Sequence, residues 1–338
     1  MQFYSDNTAP AAPEVMAAIM AANSGTARGY GDDAWSRRLD AAFSRFFDHP
    51  VRAFAVATGT AANALAIATL TSPYGEVFAS DDAHVIHDEC GAVELQSAGA
   101  RLTRLPARAG LLDADTLAKW LEDHPASVHT TQPAMVTLTQ ATECGTVYTP
   151  QQVAAVGRVC RDRGLALHMD GARFANALAS LGAAPADITW KAGVDVLSFG
   201  ATKNGALGAE AVVFFNASRA RDFELRRKRA AHLFSKMRFL SAQLLCCVEE
   251  GFFLANAARA NRLAARIGAA AGSRLLYPVQ ANAAFVRFAA GQKQVLRDRG
   301  FGFYDWGAPR EEAARFVVSW DQTEASVDAL CEALRAWS

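Results

Sequence analysis

Lys203 lies in a turn of small residues between two apolar segments. Residues 194–215 read VDVLSFGATKNGALGAEAVVFF, and both flanks of the turn have the composition of buried strands. A solvated lysine needs no glycines around it, so these glycines indicate that something large approaches the backbone closely. A lysine in such a position can form an imine with a carbonyl compound, which makes Lys203 the first candidate for chemistry.

An anion site is predicted at Gly59 and Thr60. These two residues follow a strand-like segment at 52–58 and lead directly into a helical segment at 60–70. Free backbone amides at the first turn of a helix bind anions, and the Thr60 hydroxyl adds a further donor.

Charged and acid–base side chains follow three other strand-like segments. They are, in chain order, His84 and His87 after 76–80, Asp170 and Arg173 after 165–169, and Lys203 after 194–199. In open α/β sheets the chemistry lies beyond the carboxyl ends of the strands, so we expect these side chains and the anion site to converge.

The segments that must position these residues alternate between strand-like and helix-like patterns. Strands are predicted at 52–58, 76–80, 100–105, 134–140, 165–170, 194–199 and 211–215, with helical stretches between most of them. This alternation predicts a mainly parallel sheet with helices on both faces. After about residue 245 the pattern changes to an Ala-rich helical stretch at 241–271, followed by strand-like segments at 282–288 and 315–320 and a last helix. We therefore predict a large α/β domain at 1–245 and a small α+β domain at 246–338.

The composition is that of an ordinary globular chain. The 338 residues include 34 basic and 34 acidic side chains, so the formal net charge of zero favours neither nucleic acid nor an anionic membrane as a partner. Six scattered cysteines without CxxC spacing indicate a reducing compartment. The start MQFYSDNTAP has no signal-peptide pattern, and no 18-residue apolar segment is free of charge. These features predict a cytoplasmic protein.

The chemical residues fit one cofactor better than the alternatives. His84 and His87 have no third ligand nearby, which gives no metal pattern, and the chain has neither a GxGxxG nor a GxxxxGK[ST] motif. Pyridoxal 5′-phosphate requires a lysine for an imine link, an acid facing the pyridine nitrogen, a phosphate site and a flat group over the ring. Lys203, Asp170, the Gly59–Thr60 turn and a histidine supply that set.

The order of several motifs resembles the L-threonine aldolases of the fold-type-I, aspartate-aminotransferase-like class. The motifs, in chain order, are SDNTAP, RGYGDD, TGTAAN, AHVIHDECG, LHMDGAR, SFGATKNGALGAEAVVFF, KMR and RFVVSWD. They span essentially the whole chain. A threonine directly before the lysine, here Thr202 before Lys203, resembles the pattern of the low-specificity and phenylserine-aldolase branch of that family.

The resemblance implies a role for each residue around the cofactor. Lys203 would carry the imine link, Asp170 would keep the pyridine nitrogen protonated, and Gly59 and Thr60 would bind the phosphate. His84 would stack on the ring, and Arg173 would also line the cofactor site. Arg238 would help to complete the site from a neighbouring subunit, which implies a homodimer or a homotetramer.

The resemblance also implies a substrate site for a small amino acid. Ser5, Arg173 and Arg315 would hold its α-carboxylate, because an arginine that binds a carboxylate through two hydrogen bonds fixes rotation as well as position. His87 and Tyr30, the latter in RGYGDD, are further substrate-binding candidates. Cleavage needs a base for the β-hydroxyl proton, which could be His84, His129 or an ordered water.

The predicted reaction is retro-aldol cleavage of an L-β-hydroxy-α-amino acid, such as L-threonine, L-allo-threonine or β-phenylserine, to glycine and an aldehyde. One alternative is another reaction on the same fold, namely β-elimination or transamination. The other alternative is a pyridoxal-phosphate-binding protein without catalytic activity.

Overall fold

The structure, a computed structural model, describes residues 1–308 and 311–337. The strands in these ranges are β1 Arg52–Val56, β2 Gly75–Ser80, β3 Arg101–Leu105, β4 Gln132–Thr139, β5 Ala166–Gly171, β6 Val196–Gly200, β7 Glu210–Phe214, β8 Ala283–Arg287, β9 Tyr304–Asp305 and β10 Ala313–Val317. The α-helices are α1 Pro13–Ala22, α2 Leu39–Phe47, α3 Gly59–Leu70, α4 His84–His87, α5 Ala92–Gln96, α6 Ala114–Asp123, α7 Pro150–Asp162, α8 Phe174–Leu181, α9 Phe223–Arg229, α10 Arg238–Glu249, α11 Phe252–Ala271, α12 Gln292–Asp298 and α13 Glu324–Arg335.

The large sheet has the strand order β1-β7-β6-β5-β4-β2-β3. Strands β3, β2, β4, β5 and β6 run parallel, whereas β7 is antiparallel to both β6 and β1. Every residue of β2, β5 and β6 is buried. Burial of both faces is the rule for parallel sheets and accounts for the continuous apolar sequence of these strands. The predicted mainly parallel sheet is confirmed.

Helices cover the sheet and fix the ends of its strands. Helix α3 buries nearly its whole middle section against the sheet, from Ala62 to Ala68. Helix α7 begins at a capping box, in which the Thr149 hydroxyl accepts from the Gln152 amide and the Gln152 side chain accepts from the Thr149 amide.

No helix within residues 1–308 and 311–337 is both long and apolar enough to cross a membrane.

The second sheet is small and antiparallel, with the order β8-β10-β9. Its core includes Phe316, Leu330 and Phe3, the last from the N-terminal segment. The core of the large sheet extends along α11 to Ala257, and the second core begins on the same helix at Ala260. The domain boundary between residues 245 and 246 stays a prediction.

One predicted element is wrong in the region that joins the two sheets. The single helical stretch expected at 241–271 is two helices, because α10 ends at Glu249 and α11 begins at Phe252. Gly251 between them has φ 61°, a left-handed conformation that glycine adopts without the Cβ penalty. The chain changes direction there, which allows α10 to pack on the large sheet while α11 reaches the small one.

Candidate active site

A cavity of about 430 Å³ lies beyond the carboxyl ends of the parallel strands. Thr139 at the end of β4, Asp170 near the end of β5 and Gly200 at the end of β6 all line it. Six of the residues predicted from the sequence meet in this cavity: Gly59, Thr60, His84, Asp170, Arg173 and Lys203.

Lys203 belongs to a short 3₁₀ turn directly after β6. Burial is the main reason that its pKa is lowered, and the positive charge of Arg173 acts in the same direction. A lowered pKa favours the neutral amine, which is the form that attacks a carbonyl carbon.

The glycines around Lys203 have a different cause from the one inferred from the sequence. A Cβ atom on Gly200 would lie 2.5 Å from the backbone oxygen of Ala172, so this glycine allows β6 to pack against the turn that follows β5. Gly205 has φ 115°, a backbone conformation that a glycine adopts without strain, so it serves the turn itself. Gly200 and Gly205 therefore help to place Lys203 by allowing the chain to pack and to turn.

Asp170 and His84 are connected by a buried chain of hydrogen bonds. The Asn63 amide Nδ2 donates to Asp170 Oδ2 and to Glu89 Oε1, each at 2.8 Å. The same Glu89 oxygen lies 2.9 Å from His84 Nδ1. The hydrogen bond to Glu89 is the main reason that the pKa of His84 is raised. Burial is the main reason that the pKa of Glu89 is also raised, and the hydrogen bonds from His84 and Asn63 act against that effect.

The first turn of α3 has the geometry of an anion site. Thr58 is the N-cap, and its side chain accepts from the Ala61 amide at 3.2 Å. The earlier amides, those of Gly59 and Thr60, have no intrahelical partner because a helix leaves its first four N–H groups unpaired. A Cβ atom on Gly59 would meet no described protein atom within 4 Å, so a phosphate group has room beside these amides.

Arg173 is held by Asp6 through two hydrogen bonds. Arg173 Nε donates to Asp6 Oδ2 at 2.7 Å, and Nη2 donates to Asp6 Oδ1 at 2.9 Å. Asn282 also donates to Asp6 Oδ2, at 2.9 Å. Burial would raise the pKa of Asp6, but the charges of Arg173 and Lys203 outweigh it and hold that pKa below its ordinary value. Ser5 precedes this carboxylate and caps the short helix at Asp6–Thr8.

Arg315 lies beside Arg173 in a narrow crevice next to the cavity. Its guanidinium lies 5.5 Å from the Tyr304 ring and 5.8 Å from the Trp306 ring. Its Nε atom is buried and has no hydrogen-bond partner among the described residues. Burial is the main cause that lowers the pKa of Arg315, followed by the charge of Arg173. Both arginines are therefore available to one anionic group.

The other six predicted site residues do not line the cavity of their own chain: Arg315 lines the crevice beside it, and Ser5, His87, Tyr30, Arg238 and His129 line neither. His87 is exposed, with Nε2 2.6 Å from the Asp81 carbonyl oxygen, and Tyr30 is 57% exposed under the Lys228 ammonium group. Arg238 donates to the carbonyl oxygen of Gly25 at 3.1 Å.

His129 also lies away from the cavity of its own chain. It lies in an exposed turn ahead of β4, whereas the cavity lies beyond the other end of that strand. The eight residues of β4 separate the two ends by roughly 25 Å at about 3.3 Å per residue. His129 therefore does not reach the cavity of its own chain, and its role near a substrate hydroxyl stays a prediction.

Sequence reasoning missed several polar residues of the site. Asp6 and Glu89 stand inside motifs that were considered, SDNTAP and AHVIHDECG, but neither was assigned a role. Glu143 follows β4 by four residues, so the same search beyond strand ends that identified Asp170 could have found it. Asn63 and Glu210 also stand inside such motifs, TGTAAN and SFGATKNGALGAEAVVFF, and likewise received no role, because one lies inside a helix and the other opens a strand.

Two of these residues, Glu143 and Glu210, are acids whose pKa values are raised. Burial is the main reason that the pKa of Glu143 is raised to about 7 and that of Glu210 to about 7 as well. Glu210 Oε2 accepts from the Ala201 amide at 2.8 Å, and the charge of Lys203 partly offsets the effect of burial. The cavity therefore contains an amine and two carboxyl groups whose pKa values are shifted toward neutrality, as is typical of catalytic sites.

Comparison with known proteins identifies the family. The model of the family described as beta-eliminating lyase matches residues 2–290. The low-specificity L-threonine aldolases of Pseudomonas sp. (strain NCIMB 10558) and Pseudomonas aeruginosa are each 43% identical, with alignments that cover 99% of this chain and 97% of each relative. The structure of a threonine aldolase from Leishmania major superposes with a TM-score of 0.93 at 25% identity and covers 99% of both chains. The predicted fold class and the resemblance to threonine aldolases are thereby confirmed, and the chain belongs to the beta-eliminating lyase family.

Proposed function

We propose that this chain is a pyridoxal-phosphate-dependent lyase that cleaves L-β-hydroxy-α-amino acids to glycine and an aldehyde. The observation that carries the proposal is the meeting of Lys203, Asp170 and His84 in one cavity next to the arginine pair Arg173 and Arg315. The full-length identity to low-specificity L-threonine aldolases supports the same reaction.

The residues of the cavity fit the cofactor group by group. Lys203 offers an amine for the imine link, and Asp170 is 3% exposed and fixed by Asn63 to face a pyridine nitrogen. A charge-assisted hydrogen bond of this type contributes about 1.5–3 kcal/mol. His84 provides a flat ring, and the amides of Gly59 and Thr60 provide the phosphate site. When bound, pyridoxal phosphate supplies an electron sink for the substrate bond that breaks.

The arginine pair would hold the α-carboxylate of the substrate. Asp6 occupies the Nε and Nη2 atoms of Arg173, which leaves the Nη1 atom for the substrate and fixes the plane of the guanidinium. Arg315 adds its unpartnered Nε from the opposite domain. A carboxylate held in this way has a fixed rotation about Cα, and that rotation selects the bond to Cβ for cleavage.

The oligomeric state belongs to the same proposal. Tyr30 and Arg238 lie on one surface, since the Tyr30 amide donates to the Ser235 carbonyl at 3.1 Å close to the start of α10. We expect this surface to complete the site of a partner subunit in a homodimer or a homotetramer.

A cytoplasmic location of the protein stays a prediction.

The test is a product analysis of the purified protein with pyridoxal phosphate. We expect L-threonine to give glycine and acetaldehyde in equal amounts, and β-phenylserine to give glycine and benzaldehyde. Ammonia with a keto acid would instead indicate β-elimination, and consumption of an amino-group acceptor would indicate transamination. Either result, or binding of the cofactor without turnover of any of these amino acids, would overturn the proposed reaction.

A further inference from the structure

Glu143 is an acid of the cavity wall that has no assigned task in the proposed function. It follows β4 and lines both the cavity and the crevice that contains Arg173 and Arg315. A group in this position faces the space between the cofactor site and the site for the substrate carboxylate. That space is where the side chain of a bound amino acid would lie.

The two oxygens of the Glu143 carboxylate have different surroundings. Oε1 accepts from the His84 backbone amide at 2.7 Å and from the Thr139 hydroxyl at 2.9 Å. Oε2 is shielded from solvent and has no hydrogen-bond partner within residues 1–308 and 311–337. A buried carboxylate oxygen without a partner is costly, so its persistence at a cavity wall points to a donor that arrives with a ligand.

Burial and nearby polar groups bring the pKa of the Glu143 carboxyl group to about 7. Burial is the main cause of its raised pKa, and the negative charge of Asp170 adds to it, while the donors on Oε1 oppose both. Arg173 lies near enough for the Glu143 charge to raise the arginine pKa. A group that gains and loses a proton near pH 7 is suited to general acid–base catalysis.

His84 is less suited to accept a proton. Its Nδ1 is occupied by Glu89, and the negative charges of Glu89 and Asp170 stabilise the protonated ring. The raised pKa means that the ring keeps its second proton to higher pH than an ordinary histidine, and a protonated ring has no lone pair for a substrate hydroxyl. Glu143 Oε2 has free lone pairs.

We propose that Glu143 is the base that takes the β-hydroxyl proton of the substrate, through Oε2. In this step the substrate O–H bond breaks and its proton moves to Oε2, and the oxygen electrons form the carbonyl group of the aldehyde. The Cα–Cβ bond breaks at the same time, and its electron pair would be stabilised by the electron sink that bound pyridoxal phosphate supplies. A proton from solvent then adds to Cα to complete glycine, and Glu143 returns its own proton to solvent, so that no net proton is gained or lost.

This inference rests on the proposed function, so the experiment separates the two. Glu143→Gln keeps the shape and an acceptor for His84 and Thr139 but removes the base. In the holoenzyme we expect cleavage of L-threonine to fall about 100-fold or more. Exchange of the glycine α-proton with deuterium oxide does not involve a β-hydroxyl group, so it should change less than about twofold, as should the cofactor affinity measured by absorbance.

A matched control is Glu76→Gln. Glu76 is also a buried carboxylate that accepts from two hydroxyl groups, those of Thr103 and Thr131, but it lies at the start of β2, away from the cavity. This variant should cleave L-threonine at the wild-type rate. If it loses activity as Glu143→Gln does, the loss reflects damage to the fold and not loss of the base.

A second variant tests the role through pH. Thr139→Val removes a donor to Oε1 and should raise the pKa of Glu143, so the acidic limb of the kcat/KM profile should move to higher pH. Rapid cleavage by Glu143→Gln, equal losses of cleavage and glycine exchange, or an unmoved limb in Thr139→Val would each overturn the role of Glu143. A wild-type protein that forms no glycine would instead overturn the proposed function itself.

Discussion

Asp6 binds Arg173 through two parallel hydrogen bonds, at 2.7 and 2.9 Å, across a sequence separation of 167 residues. Asp6 is 1% exposed and the Arg173 side chain is 17% exposed, so water screens the pair weakly. This ion pair ties the N-terminal segment to the turn after β5 and holds a predicted substrate-binding arginine in one orientation.

We expect Asp6→Asn to destabilise the protein. The variant leaves the buried Arg173 without a countercharge, which costs about 3–5 kcal/mol. The free energy of unfolding in urea measures this loss. Asp123→Asn, which removes an exposed pair with Lys119, should change it by less than about 1 kcal/mol. A loss for Asp6→Asn as small as that of the control would show that the Asp6 pair is not structurally important.

Glu89→Gln should lower the pKa of His84. The Glu89 carboxylate accepts from His84 Nδ1 and is the main cause of the raised His84 pKa, so an uncharged amide removes that effect. A titration of the histidine ring signals by NMR measures the change, with His84→Gln to assign the signal. His168, whose pKa burial lowers to about 4, should titrate identically in both proteins. An unchanged His84 would contradict the role given to Glu89.

Glu210→Gln should alter how stability depends on pH. The folded-state pKa of Glu210 is raised from 4.5 to about 7, so in between these values the folded protein holds a proton that the unfolded chain has released. The stability that this carboxyl group contributes is fully present below its pKa in the unfolded chain and is lost as pH rises through about 7. Relative to wild type, the variant should therefore gain up to about 3 kcal/mol between about pH 5 and about pH 8. Urea unfolding at several pH values tests this, and a constant difference would contradict it.

Gly200→Ala should disturb the turn that positions Lys203. The new Cβ would meet backbone atoms of Ala172 at 2.5–2.7 Å, and rigid backbone cannot yield as a side chain can. We expect a loss of about 1–3 kcal/mol in the free energy of unfolding, typical of overpacking. Gly208→Ala is the matched control, because a Cβ at that position meets no described atom within 4 Å. Equal stabilities of the two variants would contradict the packing role of Gly200.

The sequence was sufficient to predict the elements that carry the site. Apolar strands that end in polar residues have a local signature, and β5 with Asp170 and β6 with Lys203 were both found in this way. The break between α10 and α11 was missed, because Gly251 stands in an otherwise continuous helical pattern and its left-handed backbone is a property of the fold.

Residues that act through long-range contacts could not be predicted in the same way. Asp6 gains its importance only when the fold brings Arg173 against it, and the raised pKa of Glu143 depends on burial that no local pattern shows. His129 shows a further limit of reasoning from motifs. The motif order implies a role near the substrate, but the topology puts His129 at the far end of β4 from the cavity of its own chain, so that role stays a prediction.

The most direct measurement of the central claim compares wild type with Lys203→Ala in the presence of pyridoxal phosphate. We predict that wild type shows the visible absorbance band of a lysine-bound cofactor and releases glycine from L-threonine, and that the variant does neither. Lys191→Ala, which changes an exposed lysine paired with Asp187, should behave as wild type. Substantial glycine release by Lys203→Ala, or a wild-type protein that never acquires the band, would contradict the account.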